Sequence, residues 1–72
     1  MELTADMASS VQEVLVVVGD IVTSGQKIVI LESMKMEIPI VAPLNGVISS
    51  VNVINGQHVG AGAVLAVIEQ HS

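Results

Sequence analysis

The 72-residue chain contains no cysteine, phenylalanine, tyrosine, tryptophan or arginine. Without cysteine, a disulfide framework and a thiolate metal site are both excluded. Nucleic-acid binding is disfavoured, because two cations cannot neutralise a track of phosphates and no aromatic ring is present to stack on a base. Long apolar runs are also missing. The longest, Val14–Val18 and Ala63–Ile68, fall far short of the ~18–20 residues a membrane helix needs. Basic residues are scarce: only Lys27 and Lys35 stand against seven acidic side chains, giving a net charge of −5. The opening Met1-Glu2 and Asp6 carry the wrong charge for a secretory signal, so the expected location is the cytoplasm. A chain this short forms a single domain over 1–72. Such a domain leaves little room for a cleft of the usual ~300–1,000 Å³, which argues against an enzyme acting alone.

Branched aliphatic residues are what the chain does have. Fourteen Val, eight Ile and two Thr make one third of all positions β-branched, too much apolar surface for disorder and a composition suited to strands. A shift of 37 residues lays Val11–Glu32 over Ile48–Glu69. Six positions coincide, among them the glycine pairs Gly19/Gly56 and Gly25/Gly62, and five more stay branched aliphatic. Each half reads as strand, turn, short bridge, turn, strand. The predicted strands are Val11–Val18, Lys27–Leu31, Met36–Ala42, Val47–Ile54 and Ala63–Glu69, with a short one over Glu2–Ala5. Gly19-Asp20, Thr23-Ser24-Gly25, Asn55-Gly56 and Gly60-Ala61-Gly62 supply turn chemistry. No segment carries a helical period, and Pro39 and Pro43 oppose one.

Short strands at even spacing imply an all-β fold, an antiparallel barrel or sandwich with pseudo-two-fold symmetry. The predicted core is Val14, Val16, Val22, Ile28 and Ile30 with Val51, Val53, Val59, Leu65 and Val67. Leu15 aligns with Asn52 and Val29 with Ala66, so both positions are predicted to face outward.

Between the halves lies Glu32-Ser33-Met34-Lys35-Met36-Glu37, where the chain must reverse. A two-residue hairpin loop ordinarily takes Asn-Gly or Gly-X, which tolerate positive φ; here Met34-Lys35 occupies that place. The same register puts Glu32 opposite Glu37, an unfavourable like-charge pair. It also leaves Met34 and Met36 facing solvent. Sequences break local rules at functional sites. A longer loop would relieve the acidic pair but leave the methionines unexplained. The shift carries Lys35 onto Ser72, so the hairpin and the C-terminus are predicted at opposite edges. A lysine on such a tip is a solubilising charge or an amine presented for covalent modification. A lysine amine is protonated in neutral water, so the modifying enzyme must remove its proton; the domain supplies position. Methionines beside it offer an adaptable apolar contact to a partner.

Glu32-Ser33-Met34-Lys35-Met36 resembles the biotin attachment motif of the biotinyl/lipoyl domain family. Val18-Gly19-Asp20-Ile21-Val22-Thr23-Ser24-Gly25 resembles the family's Gly-Asp…Gly turn and Ala42-Pro43-Leu44-Asn45-Gly46-Val47 its Ala-Pro…Gly segment; Asn55-Gly56-Gln57-His58-Val59 continues the match. The resemblance spans essentially the whole chain and points to a free-standing biotin carboxyl carrier. It implies a flattened barrel-sandwich hybrid of two four-stranded halves, with biotin amide-linked to Lys35 and Met34 and Met36 recognised by the modifying enzyme. It also implies three partners: a biotin–protein ligase, a biotin carboxylase and a carboxyltransferase. The carrier shuttles carboxybiotin between the last two and catalyses neither step.

Ser33 replaces the alanine common before Met-Lys-Met, and Asp6-Met7-Ala8-Ser9-Ser10 stands where a Pro-Gly usually opens the first long strand. No insertion forms the "thumb" of some bacterial carriers, and no larger carboxylase is attached, so the carrier is expected to meet its enzymes by diffusion or association. Lipoate on Lys35 is the rival cofactor, since lipoyl domains share the hairpin lysine, usually within Asp-Lys-Ala. An unmodified scaffold is the rival from another class. His58 and His71 lack the clustered partners of a metal site, and Ser9, Ser10 and Ser33 lack a catalytic constellation. Glu32 and Glu37 can steer a basic ligase surface or simply be a solvated flank.

Overall fold

The computed structural model describes residues 1–70 and, within them, consists of strands and turns without a helix. Eight strands follow in order: β1 Glu2–Thr4, β2 Ser9–Val14, β3 Ile21–Val22, β4 Lys27–Ser33, β5 Met36–Val41, β6 Gly46–Val51, β7 His58–Val59 and β8 Val64–Gln70. They form two antiparallel four-stranded sheets, ordered β1-β8-β6-β3 and β5-β4-β2-β7. Strands 9–14, 21–22 and 27–33 recur at 46–51, 58–59 and 64–70, a uniform displacement of 37 residues. The duplication read from the sequence is therefore structural.

The equivalence extends to single hydrogen bonds. Gly19 N–H donates to Ile48 O at 2.8 Å and Gly56 N–H to Val11 O at 2.7 Å. Gly25 N–H donates to Ala42 O at 2.8 Å, as Gly62 N–H does to Ala5 O at 2.7 Å. These bonds run between segments of the two halves and tie them into one body. Gly19 and Gly56 sit at φ 96° and 88°, a region where a Cβ clashes with the backbone.

Two expected strands end early. Val11–Val18 is strand only from Ser9 to Val14, and Val47–Ile54 only from Gly46 to Val51. Beyond Val14 the chain leaves its sheet so that Val16, and equivalently Val53, can enter the core. The freed Val17 N–H is caught by Asp20 Oδ2 at 2.9 Å, and the equivalent Ile54 N–H by Gln57 Oε1 at 3.1 Å. A run of valines reads as strand on either path, so composition cannot show where it departs.

Val29 and Ala66, expected outside, are fully buried at 0% exposure. β-Bulges are the cause. Lys27 pairs with Val41 but Val29 with Ile40, leaving Ile28 as an extra residue in β4; Leu65 is the equivalent extra residue in β8. An inserted residue breaks the period-two alternation, so Ile28 and Val29 both point inward, as do Leu65 and Ala66. Leu31 and Ile68 then fall inside, while Ile30 and Val67, expected in the core, are only half-buried. Val14 and Val51 are likewise half-buried and pack against the core rather than forming it. Val16, Val22, Val53 and Val59 are buried as expected. Leu15 and Asn52 are exposed, in agreement with their predicted orientation.

The edge strands are β1 and β3 in one sheet and β5 and β7 in the other. Pro39 lies within β5, where a residue without N–H weakens the edge as a template for another strand.

Candidate functional site

β4 and β5 are paired residue by residue to Ser33↔Met36, which leaves Met34-Lys35 as a two-residue loop. Met34 and Lys35 have φ of 53° and 65° and are the only non-glycine residues with positive φ among those described. Positive φ at both central residues is the requirement of a type I′ hairpin, normally met by Asn-Gly. Each L-residue held there costs about 1–2 kcal/mol, sustained because the pairing on both sides of β4 fixes the register. Lys35 therefore stands on a turn whose backbone direction is set, with its side chain exposed.

Met34 is 90% exposed and Met36 66%, as the hairpin register predicts. Glu32 faces Glu37 across the strand pair. That row continues across the sheet: Glu32 pairs with Ser10 and Ser10 with His58. Glu37, Glu32, Ser10 and His58 thus share one outer face, because directly opposed residues of antiparallel strands point the same way. Ser10 Oγ lies 3.2 Å from His58 Nδ1. Gln12, the extra residue of a bulge in β2, donates from Nε2 to Glu37 Oε2 at 3.0 Å. Ser33 is half-buried at the base of the turn.

Gln12, Ser10 and His58 were not singled out as part of the hairpin site by the motif. The repeat held a signal that could have found two of them. Their equivalents 37 residues away are Ser49, Val47 and Ile21, so two of the three positions are polar beside the hairpin and apolar in the other half. Where a duplicated fold diverges in polarity, only one copy is adapted to meet something. His71 and Ser72 lie outside the described residues. β5 leads away from the tip to Val41, and the following turn delivers the chain to Gly46, opposite Gln70. The end of β8 is accordingly remote from Lys35. Lys27 is exposed as well, but it opens β4 opposite Val41 and so lies at the far end of that strand.

A family profile described as "Biotin-requiring enzyme" matches residues 2–68. The chain belongs to this family. Among its relatives, the "Biotinylated protein TB7.3 homolog" of Mycobacterium leprae is 45% identical, over 93% of this chain and 94% of that protein. The "Biotin/lipoyl attachment protein" of Bacillus subtilis is also 45% identical, over 90% of this chain and 89% of its own length. Among solved structures, a single-chain, multi-domain long-chain acyl-CoA carboxylase superposes with a TM-score of 0.92 at 35% identity. The superposition covers 99% of this chain but 7% of that one. Domains of this family therefore occur both as proteins of this size and as small parts of large carboxylases.

The residues present fit a covalently attached acyl cofactor. The attachment needs one exposed primary amine at a fixed place, and the tip supplies it in Lys35. The flanking apolar Met34 and Met36 are open to a partner.

Proposed function

We infer that this chain is a biotin carboxyl carrier, with biotin held as an amide on Nζ of Lys35. The observation that carries the reading is the tip itself: a lysine in the left-handed region, on a loop where almost any hairpin would place glycine or asparagine. Strain at an exposed position is retained when the side chain there has a task. Attachment forms one amide bond at Nζ, with the ligase taking a proton from the amine and the activating group leaving the biotin carboxyl. When bound, biotin supplies a ureido nitrogen able to hold a carboxyl group.

Everything else falls to the chain's own residues. Paired β4 and β5 hold the amine clear of the domain body. Met34 and Met36 present soft apolar surface to the ligase and, in turn, to the biotin carboxylase and carboxyltransferase. Glu32 and Glu37 steer a basic docking surface. The carrier catalyses neither half-reaction, and this system is expected to operate in the cytoplasm.

Intact mass after co-expression with a biotin–protein ligase tests the assignment. One biotinyl adduct is expected, absent in Lys35→Arg and retained in Lys27→Arg. An unmodified wild-type chain refutes biotin as the cofactor. A lipoyl adduct appearing instead, with a lipoate ligase supplied, would reassign the same lysine to acyl transfer.

A further inference from the structure

All four methionines of the chain are exposed: Met34 to 90%, Met36 to 66%, Met1 to 60% and Met7 to 49%. The hydrophobic core is made of Leu, Ala, Val and Ile and holds no sulfur. With no cysteine, tryptophan or tyrosine in the chain, the thioethers are the side chains that a mild oxidant reaches first. We propose that Met34 and Met36 are a reversible oxidation site for peroxides, and that their sulfoxides make the hairpin a poorer partner for the enzymes that act on Lys35. The inference rests on Lys35 being the attachment site.

Met34 and Met36 adjoin Lys35 in the chain, so each Cα lies about 3.8 Å from that of the lysine. An enzyme that receives the Lys35 side chain must therefore cover both neighbours. The turn holds them there: Met34 sits at φ 53° in the two-residue loop, and Met36 opens β5 opposite Ser33. Met1 lies at the other end of the domain, where its carbonyl accepts the Ile68 N–H at 2.8 Å near the close of β8. In the oxidation, a peroxide passes one oxygen to the thioether sulfur. The sulfur loses two electrons and gains an S–O bond, while the peroxide O–O bond breaks and its remainder leaves as water or an alcohol. A polar, chiral group then stands where a soft apolar contact stood. Burying that oxygen in an apolar pocket without a donor is unfavourable.

The fold survives the change, which makes the site a switch rather than a lesion. Sulfoxide in a packed core disrupts it, but neither methionine belongs to the core. The hairpin register is held by pairing of β4 with β5 as far as Ser33↔Met36, a backbone ladder that no thioether enters. Methionine sulfoxide reductases, one for each sulfur epimer, reverse the step. Two thiols of the reductant become a disulfide, the oxygen leaves as water and the thioether is restored. Carrier function thus falls while peroxide is high and recovers in the same chain.

The test oxidises the unloaded chain with hydrogen peroxide before biotin is attached, so that the sulfur of biotin itself is untouched. Peptide mapping by mass should show Met34 gaining oxygen ahead of Met7, and circular-dichroism melts should overlay before and after treatment. The chain is then loaded by a biotin–protein ligase and carboxylated by a biotin carboxylase with ATP and bicarbonate. At one of these steps or both, kcat/KM should fall by about tenfold. Reductases of both epimer specificities should restore mass and rate together. Met34→Leu/Met36→Leu keeps apolar surface without an oxidisable sulfur. Whatever its basal rate, that rate should be equal before and after peroxide, although Met1 and Met7 still oxidise. A peroxide-dependent fall in this variant overturns the proposal. So does a wild-type chain oxidised at Met34 and Met36 yet loaded and carboxylated as fast as before. Met7 reacting faster than Met34 overturns the site whatever Lys35 carries. Unoxidised chain that takes no biotin refutes the attachment reading and the switch with it, while the oxidation map still decides the site.

Discussion

Replacing Lys35 by glycine should make the domain more stable while removing its attachment site. Lys35 and Met34 hold φ of 65° and 53°, and relief of each left-handed L-residue returns about 1–2 kcal/mol. Glycine also enlarges the entropy of the unfolded chain, a loss of roughly 0.5–1 kcal/mol. The net expectation is a gain of about 0.5–1 kcal/mol for Lys35→Gly, and a similar gain for Met34→Gly, whose exposed side chain gives up little packing. For a domain of this size, that is a rise in Tm of about 2–8 °C. Urea denaturation followed by far-UV circular dichroism reads the effect as a higher midpoint at unchanged slope. Lys27→Gly is the matched control: it also removes an exposed lysine, but from a strand position without positive φ. It should lower stability by about 0.5–1 kcal/mol. If both tip variants lose stability as the control does, the turn is not strained and the central structural argument for function fails.

Other predictions follow from particular contacts. Glu32→Gln removes the like-charge pair with Glu37 and should raise stability by about 0.2–1 kcal/mol at low salt, an effect that shrinks in high-salt melts. Gly46→Ala would drive a Cβ into the backbone carbonyl of Glu69 and within 2.6 Å of Ile68 Cγ2; overpacking against a strand that cannot yield costs about 1–3 kcal/mol, visible as a lower urea midpoint. Ile28→Ala and Leu65→Ala empty equivalent core sites and should each cost about 2–5 kcal/mol. For so small a domain that is enough to collapse amide dispersion in an NMR spectrum, and a marked difference between the two would break the pseudo-two-fold equivalence.

Much of the site was legible in the residues alone. The Met34-Lys35 loop, the Glu32–Glu37 opposition and the solvent-facing methionines follow from counting back from two β-branched strands to the only reversal between them. The structure agrees at each of these points. Ser10, His58 and Gln12 were not legible by motif, because they reach the hairpin across strand pairs rather than along the chain. Ser10 and His58 surface only as mismatches in the repeat, and Gln12, which aligns with the polar Ser49, does not surface even there.

The sequence by itself determined the all-β class, the duplication and the lysine at its junction, since branched side chains, turn glycines and a 37-residue self-similarity are properties of order along the chain. Only the tertiary structure decided which face of each strand is buried. Alternation assumes an unbroken ladder. The extra residues Ile28 and Leu65, with Gln12 and Ser49 in the partner strands, turn the strands part-way along, taking Val29 and Ala66 inside. A bulge is a fact about two strands paired in space, and neither strand alone records it.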